Sequence, residues 1–404
     1  MKKTIWIINQ YVGSPIHGME FRHYYLAKEF VRKGYEVIIF SGSYSHLYKK
    51  LPNTNGTYTF ETIDKIQYCW VDVPTYARSV SLGRFWNMFV FLFRMYFIPT
   101  KNISKPDAII VSSPSLFPIF NGKYFADKYQ AKLIFEVRDI WPLTIQNLAK
   151  MSSWHPLVLL LSFFEKYAYK KADNVCSVLP GADKHMIAQR MQANKFFYAP
   201  NGILLEEVEN PEVLASSVQA QIPKDKFIVG YVGTIGVSNA MNYFIDAVLL
   251  LQNHPEIFFV VIGDGGEKEA LNEKVSSAKN IIFIDPIPKQ QVQSALQLFD
   301  ACYIGWNDEP LYEFGISANK LYDYMYSAKP IIHSFSSEND PIQLANCGIS
   351  CKAESPEAIK DAILAMHALT EDKRNELGKN GRSYVINHHS YDAIAQKFID
   401  IINK

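Results

Sequence analysis

Short apolar runs alternate with helix-period segments along the chain. Residues 5–8 (IWII) read as a buried strand, and 11–18 as a loop carrying Gly13 and Gly18. Residues 20–33 place apolar side chains at helical spacing and stop at Gly34, where a residue tolerant of positive φ ends a helix well. Residues 37–40 form the next apolar run, so the chain opens β–α–β and predicts a parallel sheet. The same short, turn-bounded pattern recurs at 108–111, 133–137, 174–178 and 196–199, as strands buried on both faces require. The second half repeats it. Residues 228–232 lead through Gly233 and Gly236 into a helix at 241–252. Residues 258–262 lead through Gly263-Asp264-Gly265-Gly266 into another, and 281–284, 301–304 and 330–333 continue the series. The segment between Cys347 and Cys351 suggests a short strand edge.

Two successive α/β units of similar size imply two Rossmann-like domains with parallel sheets, which suits a length of 404 residues. The reading places them at 1–203 and 204–385, divided where Pro211, acidic and small residues cluster. The final helical pattern, within 386–404, is expected to return to the first domain.

Charge changes this picture. The formal net charge of +1 argues against nucleic-acid binding by the whole chain. Yet residues 1–200 carry 25 basic and 13 acidic side chains, a net +12, whereas 201–404 carry 16 and 27, a net −11. A basic first half suits an anionic lipid or acceptor; the bland alternative is two domains that attract each other. Two aromatic stretches sharpen the question. Residues 85–97 read FWNMFVFLFRMYF, and 154–169 read WHPLVLLLSFFEKYAY, followed by Lys170 and Lys171. The first is expected to lie in a membrane interface and the second to be core. No run of 18 apolar residues predicts a transmembrane helix, and the run after Met-Lys-Lys is too short for a signal sequence. Five cysteines without a CxxC pair or His/Cys cluster predict neither a disulfide framework nor a metal site, and fit a reducing compartment.

Ligands of open α/β sheets bind at the carboxyl ends of the strands. Four loops there carry candidate chemistry. The Gly13–Gly18 stretch precedes a helix N-terminus, an anion-favouring position, but is not GxGxxG, which disfavours a dinucleotide dehydrogenase. In Glu136-Val137-Arg138-Asp139-Ile140-Trp141-Pro142, Arg138 offers a fork of donors and Asp139 a carboxylate able to take a hydroxyl proton. Gly233, Thr234, Gly236 and Asn239, with Gly263, Asp264 and Gly265 at the next strand end, offer close backbone approach and polar donors to phosphate. The fourth loop runs from Glu313 through Gly315, Ile316, Ser317 and Asn319 to Lys320 and Asp323. It joins a backbone cradle to a point charge, with an acid on the same helical face suited to two ribose hydroxyls. The bland readings are an Arg138–Asp139 capping pair and a Lys320–Asp323 surface salt bridge.

The strings EVRDIWP, SVLPGADKHM, Pro200-Asn201-Gly202, YVGTIG, GDGG and FGISANKLYDYM with its trailing KPII resemble the retaining, nucleotide-sugar-dependent glycosyltransferases called group 1 or family 4. The resemblance covers nearly the whole chain. It is nearest to bacterial enzymes assembling O-antigen, capsule or exopolysaccharide units, including amino-sugar and fucosamine transferases. It implies a GT-B fold of two facing domains and a metal-independent transfer from a nucleotide-diphosphate sugar, UDP foremost, with no other cofactor. It also implies a polyprenyl-linked acceptor and a cytoplasmic protein peripheral on the inner membrane face. Asp323 matches the family's second acid, which holds the ribose. Glu313, the candidate for the first acid beside the donor sugar, lies ten positions before it, where the family places seven residues between the two. Thr234 and Asn239 stand where many members have Arg and Lys, leaving the diphosphate to Lys320, backbone amides and Arg138. Arg138-Asp139 occupies the stretch where many members have a catalytic His. A nucleotide-sugar 2-epimerase on the same scaffold, and a non-catalytic partner that binds glycan or another transferase, remain as alternatives.

Overall fold

The computed structural model describes residues 2–18, 21–77 and 81–404. The chain divides into two compact units, Met1–Pro200 with Ile394–Lys404, and Asn201–Ala393. The first holds β1 (Thr4–Ile8), β2 (Glu36–Gly42), β3 (Tyr58–Ile63), β4 (Ile66–Val71), β5 (Ala108–Ser112), β6 (Lys132–Val137), β7 (Asn174–Ser177) and β8 (Phe196–Tyr198). Their order is β3-β4-β2-β1-β5-β6-β7-β8. Every residue of β1 and β5 is buried, because helices cover both faces of the sheet, and only Thr4 and Ser112 in these two strands are polar. The predicted first helix is Arg22–Arg32; its expected start at Glu20 lies outside the described residues.

The sheet is not wholly parallel. β3 runs antiparallel to β4, and the pair forms a hairpin through Asp64 and Lys65, both with positive φ. β3 exposes much of one face, so it lacks the continuous apolar run that marks its neighbours.

The second unit holds β9 (Phe227–Val232), β10 (Ile257–Ile262), β11 (Ile281–Ile284), β12 (Ala301–Gly305), β13 (Ile331–Ser334) and β14 (Gly348–Cys351). Its order, β11-β10-β9-β12-β13-β14, is parallel throughout. Strand order reverses between β9 and β12, and the crevice at such a reversal is where doubly wound sheets bind ligands.

The chain end returns to the first unit later than the sequence suggests. Residues 386–389 complete the helix Glu371–His389, and His389 stacks on Tyr322 of the second unit at 4.5 Å. From Ile394 the last helix, Tyr391–Asn403, belongs to the first unit. There Phe398 meets Phe30 and Phe197 edge-on, and Lys132 Nζ donates to the Ile401 carbonyl at 2.7 Å. All five cysteines are free, as buried thiols or, for Cys351, partly buried.

Candidate functional site

The loops after β9 and β10 pack backbone to backbone. The amide of Ile235 donates to the Asp264 carbonyl at 2.8 Å, and Glu267 N–H donates to the Ile235 carbonyl at 3.2 Å. Glycine is demanded at two points: a Cβ on Gly263 would stand 1.9 Å from the Gly233 carbonyl oxygen, and one on Gly265 2.1 Å from that of Ile235. Any side chain there would force the loops apart.

Against this double loop lies Lys320, in the first turn of the helix Asn319–Tyr326. Its Nζ donates to the Tyr231 hydroxyl at 2.7 Å and to Asn239 Oδ1, and sits 4.8 Å from the centre of the Tyr231 ring. The partners are themselves held, because the Tyr231 hydroxyl and Asn239 Nδ2 both donate to the Thr234 carbonyl, at 2.6 and 2.9 Å. None of these groups carries negative charge, and burial pushes the Lys320 amine down to about 8. The side chains therefore hold a cation without neutralising it.

One helical turn on, Asp323 is 6% exposed, and burial raises its carboxyl above the ordinary value even though Lys289 opposes the shift. Lys289 Nζ pairs with Asp323 Oδ2, and Gln293 Nε2 donates to the Asp323 main-chain carbonyl at 3.0 Å. Lys320 and Asp323 thus form no surface salt bridge with each other; each has its own partners. Both line a cavity of about 400 Å³ with Gly233, Thr234, Gly263 and Asp264. Its far wall is Pro286, Ile287 and Lys289, from the loop after β11. The sequence reading missed this wall. Its only signals were position, a loop at the end of the edge strand, and Asp285 directly after that strand.

The remaining donor-side residues are arranged differently from the expectation. Gly236, Asn239, Gly265 and Asn319 frame the loops without lining the cavity. The N–H of Gly315, expected to face a diphosphate, donates instead to the Tyr312 carbonyl at 2.9 Å, and the Ile316 side chain is in the core. Ser317 serves the chain connection: its hydroxyl and carbonyl accept from the backbone N–H and side-chain amide of Asn201, at 2.9 and 2.8 Å. Glu313 is exposed on the short turn Pro310–Phe314 and does not line the cavity.

In the first unit the strand-end charge belongs to Glu136, fully buried at the end of β6. Arg22 donates to Oε1 from Nε and Nη2 at 3.1 and 2.8 Å. His23 Nε2 lies 2.7 Å from Oε2, and Ser112 Oγ donates to it at 2.7 Å. Burial pushes this carboxyl up, but Arg22 and His23 together hold it well below the usual carboxylate range; burial also lowers His23. Arg22 further donates to the carbonyls of Ala199 and Pro200. The cluster therefore clamps the first helix, the end of β6 and the chain's exit from the unit. It was invisible in sequence because Arg22 and His23 lie more than a hundred residues from Glu136.

Two residues after Glu136, Arg138 is half-buried with its N–H on Ser113 Oγ at 2.8 Å, and Asp139 is exposed. Gly13 accepts from the Tyr68 hydroxyl at 3.0 Å. Gly18, at φ 102°, closes a tight turn on Ser14 and abuts the Lys49 amide, where a Cβ would come within 2.9 Å. Among the described residues, no group of three or more His, Cys, Asp or Glu is placed to hold a metal ion, and no helix is long and apolar enough to cross a membrane.

The helix Leu82–Met95 carries apolar side chains on its exposed side as well as its buried one. It buries Asn87, Phe91 and Met95 and exposes Leu82, Trp86, Phe89 and Phe93 along one stripe, Leu82 at 89% and Phe93 at 65%. The second aromatic stretch, helix Pro156–Lys171, is core on one side only. It buries Val158, Leu161, Phe164 and Ala168 but exposes Leu159, Leu160 and Phe163, correcting the expectation that it is wholly core. The two helices meet through Phe117, which stacks on Phe89 at 5.2 Å and meets Phe164 edge-on at 4.7 Å.

The model of the family described as "Glycosyl transferases group 1" matches residues 214–384, and that of "Glycosyltransferase Family 4" matches residues 16–207. A putative colanic acid biosynthesis glycosyl transferase, WcaI, from Escherichia coli (strain K12) is 25% identical over 207 residues, 50% of each chain. The match thus spans about half the length of that curated relative. Sucrose-phosphate synthase from Thermosynechococcus elongatus superposes with a TM-score of 0.70 at 16% identity, covering 100% of this chain and 98% of that one. A glycosyltransferase from Rickettsia africae ESF-5 gives 0.67 at 14%, with the same coverage. Anabaena Alr3699/HepE, solved in complex with UDP and glucose, gives 0.65 at 14%, covering 99% of each. These likenesses show the GT-B fold.

Proposed function

Because this chain belongs to the group 1, family 4 glycosyltransferases, we propose that it transfers a sugar from a nucleotide-diphosphate donor to an acceptor in polysaccharide biosynthesis. The observation that carries this reading is the un-neutralised Lys320 amine in the cavity wall, one turn from a buried carboxylate. A diphosphate supplies the charge that Lys320 lacks, and Asp323 accepts hydrogen bonds from vicinal ribose hydroxyls once Lys289 gives way. Stabilisation of the leaving diphosphate then rests on a fixed cation and backbone dipoles, and no metal is required. UDP is the proposed nucleotide, in keeping with the UDP named for Alr3699/HepE.

The finer reading follows the same family. The donor is a hexosamine or deoxy-aminosugar, transferred with retention. Asp139, an exposed carboxylate at a strand end, is the proposed acceptor-side base. The acceptor is a polyprenyl-linked glycan, and the protein works as a peripheral one on the inner leaflet. The exposed stripe of Leu82, Trp86, Phe89 and Phe93 supports that location, since aromatic side chains favour the headgroup boundary. The colanic acid relative supports polysaccharide assembly over the epimerase alternative.

The test is a thermal-shift screen of UDP-, GDP-, dTDP- and ADP-sugars with and without EDTA, followed by turnover with the donor that binds. One nucleotide class is expected to raise the melting temperature equally in both conditions. No shift with any donor, from folded protein, would remove the transferase reading and favour the non-catalytic one.

A further inference from the structure

A second cavity, of about 560 Å³, lies in the first unit at the end of helix Pro156–Lys171. Four cations line it, Lys166, Lys170, Arg190 and Lys195, with Gln189 and Gln192, and no Asp or Glu is among its walls. Lys195 is committed to the helix end, donating from Nζ to the carbonyls of Ala172, Lys170 and Tyr169 at 2.7, 3.1 and 3.4 Å. Among the described residues, Lys166, Lys170 and Arg190 have no carboxylate within 4 Å. The buried Glu165 on the same helix has its Oε1 bound by His185 and the Tyr169 hydroxyl, at 2.8 and 3.1 Å, and forms no ion pair with them.

The same helix connects this cavity to the exposed apolar face. Leu159, Phe163, Lys166 and Lys170 fall at i, i+4, i+7 and i+11, a single helical stripe. Along it the exposed side chains change from apolar to cationic over about 16 Å, at about 1.5 Å of rise per residue. Trp154, 82% exposed, extends the apolar end. A stripe that is apolar at one end and cationic at the other matches the boundary between acyl chains and phosphate. The excess of basic residues in this half of the chain gives the same sign of charge.

We infer that the Lys166–Lys170–Arg190 cavity binds the phosphate headgroups of an anionic lipid surface, with Leu159, Phe163 and Trp154 seated in the adjoining interface. The cavity gives the peripheral location proposed above its lipid preference, and it rests on that location. It is distinct from the donor cavity, which lies in the other unit. No covalent step is involved.

Cosedimentation of the full chain with vesicles tests this, with equimolar phosphatidylcholine and phosphatidylglycerol compared against phosphatidylcholine alone. The wild type is expected to prefer the anionic vesicles. The triple variant Lys166→Ala/Lys170→Ala/Arg190→Ala is expected to lose roughly 100-fold of that partitioning at low salt, at about fivefold per cation. The charge-preserving pair Lys166→Arg/Lys170→Arg is expected to keep it, with circular dichroism and melting unchanged in both. Triple-variant binding equal to the wild type would overturn the cavity's role while leaving the peripheral location standing. Absence of wild-type binding to either vesicle would overturn both. Saturable binding of inorganic pyrophosphate, lost in the triple variant and without anionic vesicle preference, would reassign the cavity to a soluble phosphate ligand. No sugar or acceptor enters the experiment, so its outcome is independent of the transfer reaction.

Discussion

Each unit holds a charged side chain near the carboxyl ends of its strands, Glu136 fully buried and Lys320 partly so in a cavity wall, and the two are treated oppositely. Glu136 is enclosed by Arg22, His23 and Ser112 until its charge is compensated. Lys320 is enclosed by a phenol, an amide and a glycine, and its charge is not. Burying an ion without a counter-ion costs several kcal/mol, so such a group persists where something else is to bind it. The difference separates a clamp from a receptor. Glu136 holds its unit together, and Lys320, in the function proposed above, receives the donor's diphosphate.

The largest way to break this comparison is Glu136→Gln. It strands Arg22 and His23 without their anion, and the expected loss is about 3–5 kcal/mol of stability in urea unfolding. Donor affinity in the surviving folded fraction is expected to stay within about twofold, since Glu136 is hydrogen-bonded by Arg22, His23 and Ser112, none of which lines the donor cavity. Lys320→Met comes next. Removing a charge-assisted contact worth about 1.5–3 kcal/mol is expected to weaken UDP binding roughly 10- to 100-fold. The melting temperature without ligand should hold or rise, because a buried cation is gone. If both variants lose stability alike, the distinction between clamp and receptor fails.

Gly263→Ala sharpens the geometry. The new methyl meets the Gly233 carbonyl and parts the two loops, at an expected cost of about 1–3 kcal/mol. Loss of UDP binding is expected to accompany it, measured by calorimetry on folded protein. The smallest effect is expected for Asp323→Asn, a weakening of about fivefold for UDP with none for inorganic pyrophosphate, which has no ribose. Equal weakening of both ligands would move Asp323 away from the sugar hydroxyls.

Much of the fold was legible because buried parallel strands carry apolar runs that polar neighbours interrupt. β11 was read at its observed bounds, and most other strands to within a residue or two at each end. The β3–β4 hairpin was not read. Its first strand is half-exposed, and its turn uses Asp64-Lys65 at positive φ, without the glycine that signals such a turn. In the site, Lys320, Asp323 and the glycine loops were readable from loop-then-helix spacing. Lys289 was not, since its ion pair to Asp323 exists only after β11 and the helix Asn319–Tyr326 are packed. The contrasting fates of Glu136 and Asp139, three residues apart, depend on where the strand stops: β6 ends at Val137, with Glu136 inside it and Asp139 two residues beyond.

The measurement closest to the central claim is the UDP dissociation constant of the wild type between pH 7 and 9.5. In the unliganded fold the Lys320 amine is lowered from 10.5 to about 8, so the cation is present below pH 8 and lost as pH rises through it. For stability alone the sign is the reverse. The unfolded chain holds that proton up to about 10.5, so the lysine's penalty is full below pH 8 and is relieved between 8 and 10.5. For binding, affinity should be level below pH 8 and then fall by up to tenfold per pH unit, with proton uptake on binding, and Lys320→Met should remove the slope. A wild-type affinity that stays flat to pH 9.5, or a slope that survives in Lys320→Met, would contradict the assignment of Lys320 as the cation that receives the diphosphate.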